Sequence, residues 1–325
     1  MYEEVYKLSG NPFKLTPNPE FFYPSRIHKK VMAYLQYGLE QGDGFIVVTG
    51  NVGTGKTTII QTLTNELEKE NDIILSQITS TQLTEGELIR MVSVSFGLPI
   101  NKLSKAALIK NLENFLREQS HNHKRVLLIV DEVQNMPKRS LEELRMLSNF
   151  QEQGRQLFQS FLVGQQQFKK IINRADMEQL RQRVIASYHL DPLDIDDTKN
   201  YIEYRLECVG WQRDPEFDAA AYDKIFSFSQ GVPRIINIFC GRLLLYAALE
   251  DIHTITEEVV SNVISEFADE NMQKKFIARS DKKSDIDNVS DTNRLDAMDK
   301  RLRIMERKLK RIEVSVDTLV DDFNL

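Results

Sequence analysis

The glycine-rich segment at residues 50–57 constrains the fold of this chain more than any other part of its sequence. It reads Gly-Asn-Val-Gly-Thr-Gly-Lys-Thr and fits the pattern GxxxxGK[ST]. The apolar run Phe45 to Thr49 precedes it and is too short for a helix, whereas a helical pattern follows from Thr57 to Leu67. The segment therefore lies between a buried strand and a helix, where backbone N–H groups at a helix N-terminus can surround phosphates.

The residues of this phosphate-binding loop (P-loop) predict a nucleotide site with a bound metal ion. We expect Lys56 to reach the β and γ phosphates and the Thr57 hydroxyl to complete the shell of a Mg²⁺ ion. The expected nucleotide-binding residues are Gly50, Asn51, Val52, Gly53, Thr54, Gly55, Lys56, Thr57 and Thr58. The predicted cofactors are therefore ATP and Mg²⁺.

Strand-like and helical patterns alternate from residue 27 to residue 192. Further strand-like runs are Ile73 to Ile78, Val126 to Val130, Phe158 to Val163 and Val184 to Leu190. Helical patterns at the start of this region and between the strands are Ile27 to Gln41, Thr57 to Leu67, Thr84 to Phe96, Lys105 to Arg117 and Ser140 to Phe150. This alternation predicts a doubly wound α/β domain, with a parallel sheet covered by helices on both faces. After Pro192 the strand signals stop, and four helical patterns predict a small helical lid over residues 193–270.

Two adjacent carboxylates are the candidates for metal binding and proton transfer. Asp131 and Glu132 follow the buried run Val126 to Val130, at the carboxyl end of a strand, where open α/β sheets bind ligands. We expect Asp131 to hold Mg²⁺ through water and Glu132 to act as the general base for the attacking water. Alone, such a pair is a common solvated turn; after a complete P-loop it indicates a hydrolytic site.

Three further positions are candidate catalytic residues, each with a structural alternative. Arg234 lies near the start of a lid helix that begins at Pro233, from which a guanidinium can reach the γ phosphate; the alternative is a surface salt bridge. Arg183, favoured over Arg181, lies where a helix meets the last strand and could enter a neighbouring subunit's site as an arginine finger, or could be structural. Gln165 ends a strand between the loop and the acid pair and suits a polar sensor, but it equally suits the start of a helix. The lid and this arginine favour the AAA+ class of P-loop ATPases.

The two ends of the chain carry different patterns. Residues 1–26 are rich in proline and aromatic residues and are expected to form an ordered segment against the nucleotide-binding domain. Residues 271–293 read as a flexible linker. Residues 294–325 carry the apolar a/d spacing of a coiled coil, which requires a partner helix from a second copy or another protein; the alternative is a helix folded back on the lid.

Composition restricts the location of the protein and its partners. The formal net charge of -6 gives no chain-wide basic field for nucleic acid, although a local basic patch is still allowed. Cys208 and Cys240 have no CxxC pairing and are expected to be reduced thiols. No signal peptide and no run of about 20 apolar residues is found, so the sequence predicts a cytoplasmic protein that reaches a membrane only through a partner.

With these motifs in place, the chain resembles the secretion ATPases related to general secretion pathway protein A, and most closely the ATPase associated with the exosortase A/PEP-CTERM system. The resemblance covers roughly residues 1–270. The matching stretches include Asn11 to Phe13, Gly44 to Gly50, Glu143 to Phe150, Gln179 to Ile185 and Gly231 to Asn237. It implies a AAA+ ATPase from a locus for polysaccharide production and surface-protein sorting, with Lys56, Thr57, Asp131, Glu132 and Arg234 as nucleotide-site residues. The chain departs from general secretion pathway protein A in lacking a transmembrane helix and a peptidoglycan-binding part, which puts direct anchoring in the envelope in doubt.

Three functions are compatible with these features. The first is an ATP-driven assembly or remodelling factor, acting as a homo-oligomer on an envelope, exopolysaccharide or secretion machine. The second is a DNA-binding AAA+ regulator like the ATPase subunits of transposons, which salt-dependent binding to duplex DNA would favour. The third is a nucleotide-gated scaffold, which Glu132 disfavours because a pure binder needs no base.

Overall fold

The computed structural model describes residues 2–16, 18–42, 44–69, 72–79 and 85–267. The chain up to Ser265 packs as one compact unit. The predicted linker at 271–293 and the predicted coiled coil at 294–325 lie outside the described residues.

A five-stranded parallel sheet forms the centre of the unit. Its strands are β1 (Phe45–Gly50), β2 (Ile73–Thr79), β3 (Arg125–Asp131), β4 (Gln159–Gly164) and β5 (Val184–Leu190). The spatial order is β2-β3-β4-β1-β5, and every neighbouring pair is parallel. The carboxyl ends of β3, β4 and β1 are therefore adjacent at one edge of the sheet, where the acid pair, Gln165 and the P-loop follow.

Helices cover both faces of this sheet. They are α1 (Arg26–Gln41), α2 (Lys56–Leu67), α3 (Glu85–Ser95), α4 (Lys105–His121), α5 (Lys138–Leu147), α6 (Gln166–Ile172) and α7 (Glu178–Arg181). The side chain of Ser25 accepts a hydrogen bond from the N–H of His28 and so caps the start of α1, while Gly42 ends this helix with φ 73°. The predicted doubly wound arrangement is confirmed, and the element ends differ from the sequence patterns by a few residues.

The three central strands β1, β3 and β4 are mostly apolar because both faces of the sheet are buried there, whereas β2 and β5 are partly exposed. All residues of β1 and β4 are buried. On one face, Val47, Leu128 and Leu162 pack in a core with residues of α3, α4 and α5. On the other face, Val48 and Phe161 belong to a second core with residues of α1 and α2. Each such side chain contributes about 1.5–3 kcal/mol of burial free energy, and together they fix the sheet beneath the site.

The lid follows the sheet and is mostly helical, as predicted. Its helices are α8 (Ile195–Glu207), α9 (Ala219–Ser229), α10 (Pro233–Leu249) and residues 257–267. The expectation that strands stop after Pro192 is wrong in one detail, because Glu216–Phe217 pairs in parallel with Thr254–Ile255. Each of these strands has two residues, too few to give an alternating pattern in the sequence.

The N-terminal segment contacts the α/β domain, as the sequence analysis expected, through Phe22 and the turn Pro19–Phe21, and it is also attached to the lid. The hydroxyl of Tyr6 donates to the carbonyl of Ile252 at 2.8 Å. Buried Arg205 of α8 donates to the carbonyl of Lys14 at 3.0 Å, and its guanidinium carbon lies 5.0 Å from the centre of the Phe21 ring. Such contacts between residues almost 200 positions apart cannot be read from local patterns.

The chain passes between the lid and the α/β domain at two places. Just after the N-terminal segment it enters α1, and after β5 it enters α8. An ion pair joins these places, since the guanidinium of Arg26 at the start of α1 contacts the carboxylate of Asp194, which caps α8.

Candidate nucleotide site

The P-loop has the backbone conformation that its glycines predict. Gly53 and Gly55 have φ values of 84° and 95°, in the region where residues with a Cβ are strained. The Thr54 hydroxyl donates to the carbonyl of Asn51 at 2.9 Å and closes the turn. Gly55 precedes the first residue of α2, so the loop leads directly into a helix N-terminus. This arrangement is a ready anion site.

Lys56 is folded into the loop that it follows. Its ammonium donates to the carbonyls of Gly50 and Asn51, both at 2.9 Å. The side chain is buried, and loss of water lowers its pKa, whereas the charges of Glu132 and Asp131 act in the opposite direction. The structure therefore brings this cation and the acid pair into one electrostatic environment, as the sequence predicted.

Asp131 ends strand β3 in a buried position. Its Oδ1 accepts the backbone N–H of Glu132 at 2.8 Å. Burial raises the pKa of this carboxyl, which the hydrogen bond from Glu132 and the charge of Lys56 partly offset. The Asp131 carboxylate and the Thr57 hydroxyl supply oxygen donors, the type that Mg²⁺ prefers, so these two residues fit the predicted metal role.

Glu132 adopts a left-handed backbone conformation, with φ 53°. One of its carboxylate oxygens, Oε2, accepts a hydrogen bond from the side-chain amide of Gln165 at 3.2 Å and a second one from the amide of Gln134. The predicted sensor Gln165 thus lies beside the acid pair and bonds to Glu132. Gln134 was not predicted, because a glutamine in a short turn gives no signal of its own in the sequence.

Arg234 connects the lid to the P-loop. Its backbone N–H donates to the carbonyl of Gly53 at 3.1 Å. A Cβ at Gly53 would lie only 2.6 Å from the Cβ of Arg234, so the two backbones can approach this closely only with glycine in the loop. Within the described part of the chain, no hydrogen-bond partner of the Arg234 guanidinium is found, and the residue lines the same cavity as Lys56. The structure thus brings Arg234 to the P-loop, and its contact with the γ phosphate stays a prediction.

Arg183 lies at the amino ends of the strands, whereas the P-loop follows the carboxyl end of β1. It immediately precedes β5, whose first residue pairs with Phe45 at the start of β1. Its guanidinium donates to the carbonyl of Ser148 at 3.3 Å and to the side chain of Asn149. Arg181 forms an ion pair with Glu178 in the same helix. The structure does not bring either arginine to the nucleotide site of its own chain, so a finger role would require a second copy.

A cavity of about 360 Å³ is lined by residues of the P-loop, by Glu132 of the acid pair, and by residues of the lid and the N-terminal segment. The aromatic wall, formed mainly by the N-terminal segment, was not predicted. The P-loop side contributes Val52, Gly53, Gly55, Lys56, Thr57 and Thr58, and the acid side contributes Glu132 and Gln165. The lid contributes Tyr201, Arg205, Pro233, Arg234 and Asn237, and the N-terminal segment contributes Lys14, Leu15, Thr16, Asn18, Phe21, Phe22 and Tyr23. A phosphate loop facing an aromatic wall suits a nucleotide, because a base offers flat apolar surface and a triphosphate offers charge.

His28 is a buried residue of this wall. Its Nδ1 lies 2.7 Å from the hydroxyl of Ser25, and its ring meets that of Phe22 edge to face, with centroids 5.3 Å apart. Burial lowers the pKa of His28 to about 4, so the imidazole is neutral at physiological pH. The sequence analysis did not identify His28 as part of the nucleotide site.

Comparison with known proteins places these features in a family context. The model described as "AAA domain" matches residues 39–172. General secretion pathway protein A of Aeromonas hydrophila is 36% identical over 262 residues, which are 80% of this chain and 47% of that protein. The chain thus spans about half the length of this curated relative.

Solved structures with little sequence identity share the fold. The Cdc6p structure from Pyrobaculum aerophilum matches with a TM-score of 0.62 at 16% identity, covering 78% of this chain and 70% of that one. The ORC2 protein of Aeropyrum pernix, solved in ADPNP-ADP complexes, matches with a TM-score of 0.57 at 16% identity, covering 77% and 72%. Of the described helices, none is long and apolar enough to cross a membrane. The chain is therefore an AAA+ protein with a P-loop nucleotide-binding fold, related to general secretion pathway protein A.

Proposed function

We propose that this protein hydrolyses ATP and uses the cycle to assemble or remodel an envelope, exopolysaccharide or secretion machine. One observation carries the hydrolytic part: Lys56, Thr57, Glu132 and Gln165 line one cavity, with Asp131 hydrogen-bonded to Glu132 beside it. A cation and a hydroxyl from a P-loop, together with two carboxylates from the end of β3, are the groups that phosphoryl transfer to water requires.

Each residue has a defined part in this reaction. The N–H groups of the loop and the ammonium of Lys56 bind the phosphates, and the cation offsets their charge. Thr57 and Asp131 would hold Mg²⁺, which supplies further neutralisation of phosphate charge when bound. Glu132 accepts a proton from the attacking water, the water oxygen bonds to the γ phosphorus, and the bond to ADP breaks.

The lid supplies the mechanical output. Because the N–H of Arg234 bonds to the carbonyl of Gly53, a change in the P-loop is passed directly to the start of α10. The Arg234 guanidinium would bind the γ phosphate, so release of that phosphate would remove one lid contact. The lid position would thus depend on the bound nucleotide.

A homo-oligomer would complete the site. Arg183 immediately precedes β5, at the opposite end of the strands from the P-loop of its own chain, which suits a finger directed to a neighbour. Such fingers raise hydrolysis rates by about 10³–10⁵. Entry of Arg183 into a neighbouring site would require the bonds to Ser148 and Asn149 to break, so assembly would control activity.

The relationship to general secretion pathway protein A supports a role in secretion, and the resemblance to PEP-CTERM-associated ATPases supports a role in exopolysaccharide production. We expect a client protein to bind through the apolar a/d positions of residues 294–325, and the membrane to be reached only through such a partner. The alternative function is that of an AAA+ regulator that binds DNA. Failure of the purified protein to bind duplex DNA at low salt would exclude this alternative.

A Glu132→Gln variant tests this function. It removes the base but keeps the site shape, so ATP should still bind while hydrolysis falls by about 10²–10⁴-fold. Affinity purification of this variant in ATP should then retain the client in the stalled state. Turnover near that of the parent would remove Glu132 from its role and refute the mechanism.

A further inference from the structure

Gln134 bridges the ends of two neighbouring strands. It lies in the turn Val133–Asn135, directly after the acid pair at the end of β3. Its side-chain amide donates to Oε2 of Glu132, and its Oε1 accepts the backbone N–H of Gln165, which follows β4, at 2.9 Å. One side chain thus fixes the candidate base relative to the next strand.

The Glu132 carboxylate receives both of its amide hydrogen bonds on the same oxygen. Gln165 donates to Oε2 at 3.2 Å from one side, and Gln134 donates to the same atom. Two donors on one oxygen fix the plane and direction of a carboxylate that otherwise rotates freely at the end of a flexible side chain. The second oxygen, Oε1, then has a defined direction.

Gly164 provides the space that Gln134 occupies. A Cβ at this position would lie 2.8 Å from Oε1 of Gln134 and 2.8 Å from Cγ1 of Val133. The φ of Gly164 is not positive, so the requirement for glycine here is one of space and not of backbone conformation. Glycine at the end of β4 therefore leaves the space that the Gln134 side chain occupies.

We propose that Gln134 is a positioning residue for hydrolysis, which directs Glu132 through the shared oxygen and rests on the hydrolysis proposed above. With Oε2 held by two amides, Oε1 accepts the proton of the attacking water. Gln134 does not itself line the nucleotide cavity and acts through Glu132 and Gln165, which do. Misplacement of a catalytic group by about 1 Å can cost about 100-fold in rate, so loss of Gln134 should reduce hydrolysis about 10- to 100-fold.

Three variants of the full chain test the proposal. Gln134→Met removes both hydrogen bonds at similar volume, and Gln134→Glu keeps the acceptor for Gln165 but loses the donor to Glu132. Gly164→Ala displaces Gln134 without changing its chemistry. The matched controls are Gln182→Met, whose exposed amide donates to Glu178 at 3.2 Å, and Gly10→Ala, where no atom of the described residues lies within 4 Å of the added Cβ.

The measurements separate binding from chemistry. Titration with ATP gives the Kd, and rapid-quench single turnover with radiolabelled ATP gives the hydrolysis rate constant. All three test variants should lose rate about 10- to 100-fold, with the Kd for ATP within about threefold of the parent. The controls should match the parent in both quantities. In a Glu132→Gln background, Gln134→Met should cause no further loss, which a merely structural role would not produce.

Several outcomes would overturn the proposal. Equal rates for Gln134→Met and the parent would show that Gln134 has no part in hydrolysis, and a faster rate would show that it holds Glu132 back. If Gln134→Met fails to fold, a parent-like rate in Gly164→Ala and Gln134→Glu would be decisive in the same way. If the parent itself hydrolyses no ATP, the proposed function fails, and the role of Gln134 fails with it.

Discussion

Substitution of Gly53 by alanine should separate two costs that the structure places at one residue. Gly53 has φ 84°, and its Cβ would lie 2.6 Å from the Cβ of Arg234 and 3.2 Å from Cγ1 of Val232. A left-handed conformation costs an alanine about 1–2 kcal/mol. An atom forced into a packed contact costs about 1–3 kcal/mol more. The free energy of unfolding should therefore fall by about 2–5 kcal/mol.

Gly154 provides the matched control for this substitution. Its φ of 81° is nearly the same, but no atom in the described part of the chain lies within 4 Å of an added Cβ. Gly154→Ala should therefore lose only the conformational part, about 1–2 kcal/mol. Urea unfolding of both variants, followed by far-UV circular dichroism, gives the two free energies, and ATP titration shows whether displacement of Arg234 also weakens binding. Equal losses in the two variants would refute the close contact between the loop and the lid.

Four further changes have definite expected outcomes. Lys56→Ala should abolish tight ATP binding, because the cation facing the phosphates is lost; an unchanged Kd would contradict the P-loop assignment. Arg183→Ala and Lys56→Ala should each be nearly inactive, yet mixed assemblies should regain some ATPase activity, and no rescue in proven mixtures would make Arg183 structural. The pKa of His28 is about 4 in the folded protein and about 6.5 in the unfolded chain, so the unfolded chain binds the proton more tightly. Lowering the pH from 6.5 to 4 should therefore reduce the free energy of unfolding by at most about 3 kcal/mol. The His28→Gln variant should show a shallower pH dependence of this free energy. Replacing Leu302 and Leu309 together by Asp should abolish association and client capture but not ATP binding; light scattering and pull-down results equal to the parent would favour a helix folded on the lid.

The parts of the fold that were predictable have local signals. Strands buried on both faces give continuous apolar runs, as in Val126 to Val130, and a P-loop is a contiguous pattern with a fixed context. The edge of the sheet where Asp131, Glu132 and Gln165 meet follows from parallel strands alone. The sheet was therefore predictable from the sequence, and so was the meeting of these candidate site residues at one end of the sheet.

The parts that were missed depend on contacts between distant residues. The aromatic wall of the cavity exists because Arg205 of the lid binds carbonyls near the N-terminus, more than 190 positions away. The role of Gln134 depends on its relation to Gln165 on the next strand. Arg183 is the opposite case. Its sequence context predicted a catalytic arginine finger, whereas within one chain its guanidinium donates hydrogen bonds to Ser148 and Asn149.

The two crossings between the lid and the α/β domain have a mechanical consequence. A body joined to another by a single connection can swing and twist in several directions, but a body joined at two points can turn only about the line through them. Here the Arg26–Asp194 ion pair connects the two crossings. We therefore expect the lid to open and close by rotation about one axis through the two crossings, and we expect the N-terminal residues to move with it. A pair of spin labels, one near Ser9 and one on α2, would report this rotation as a single change in distance.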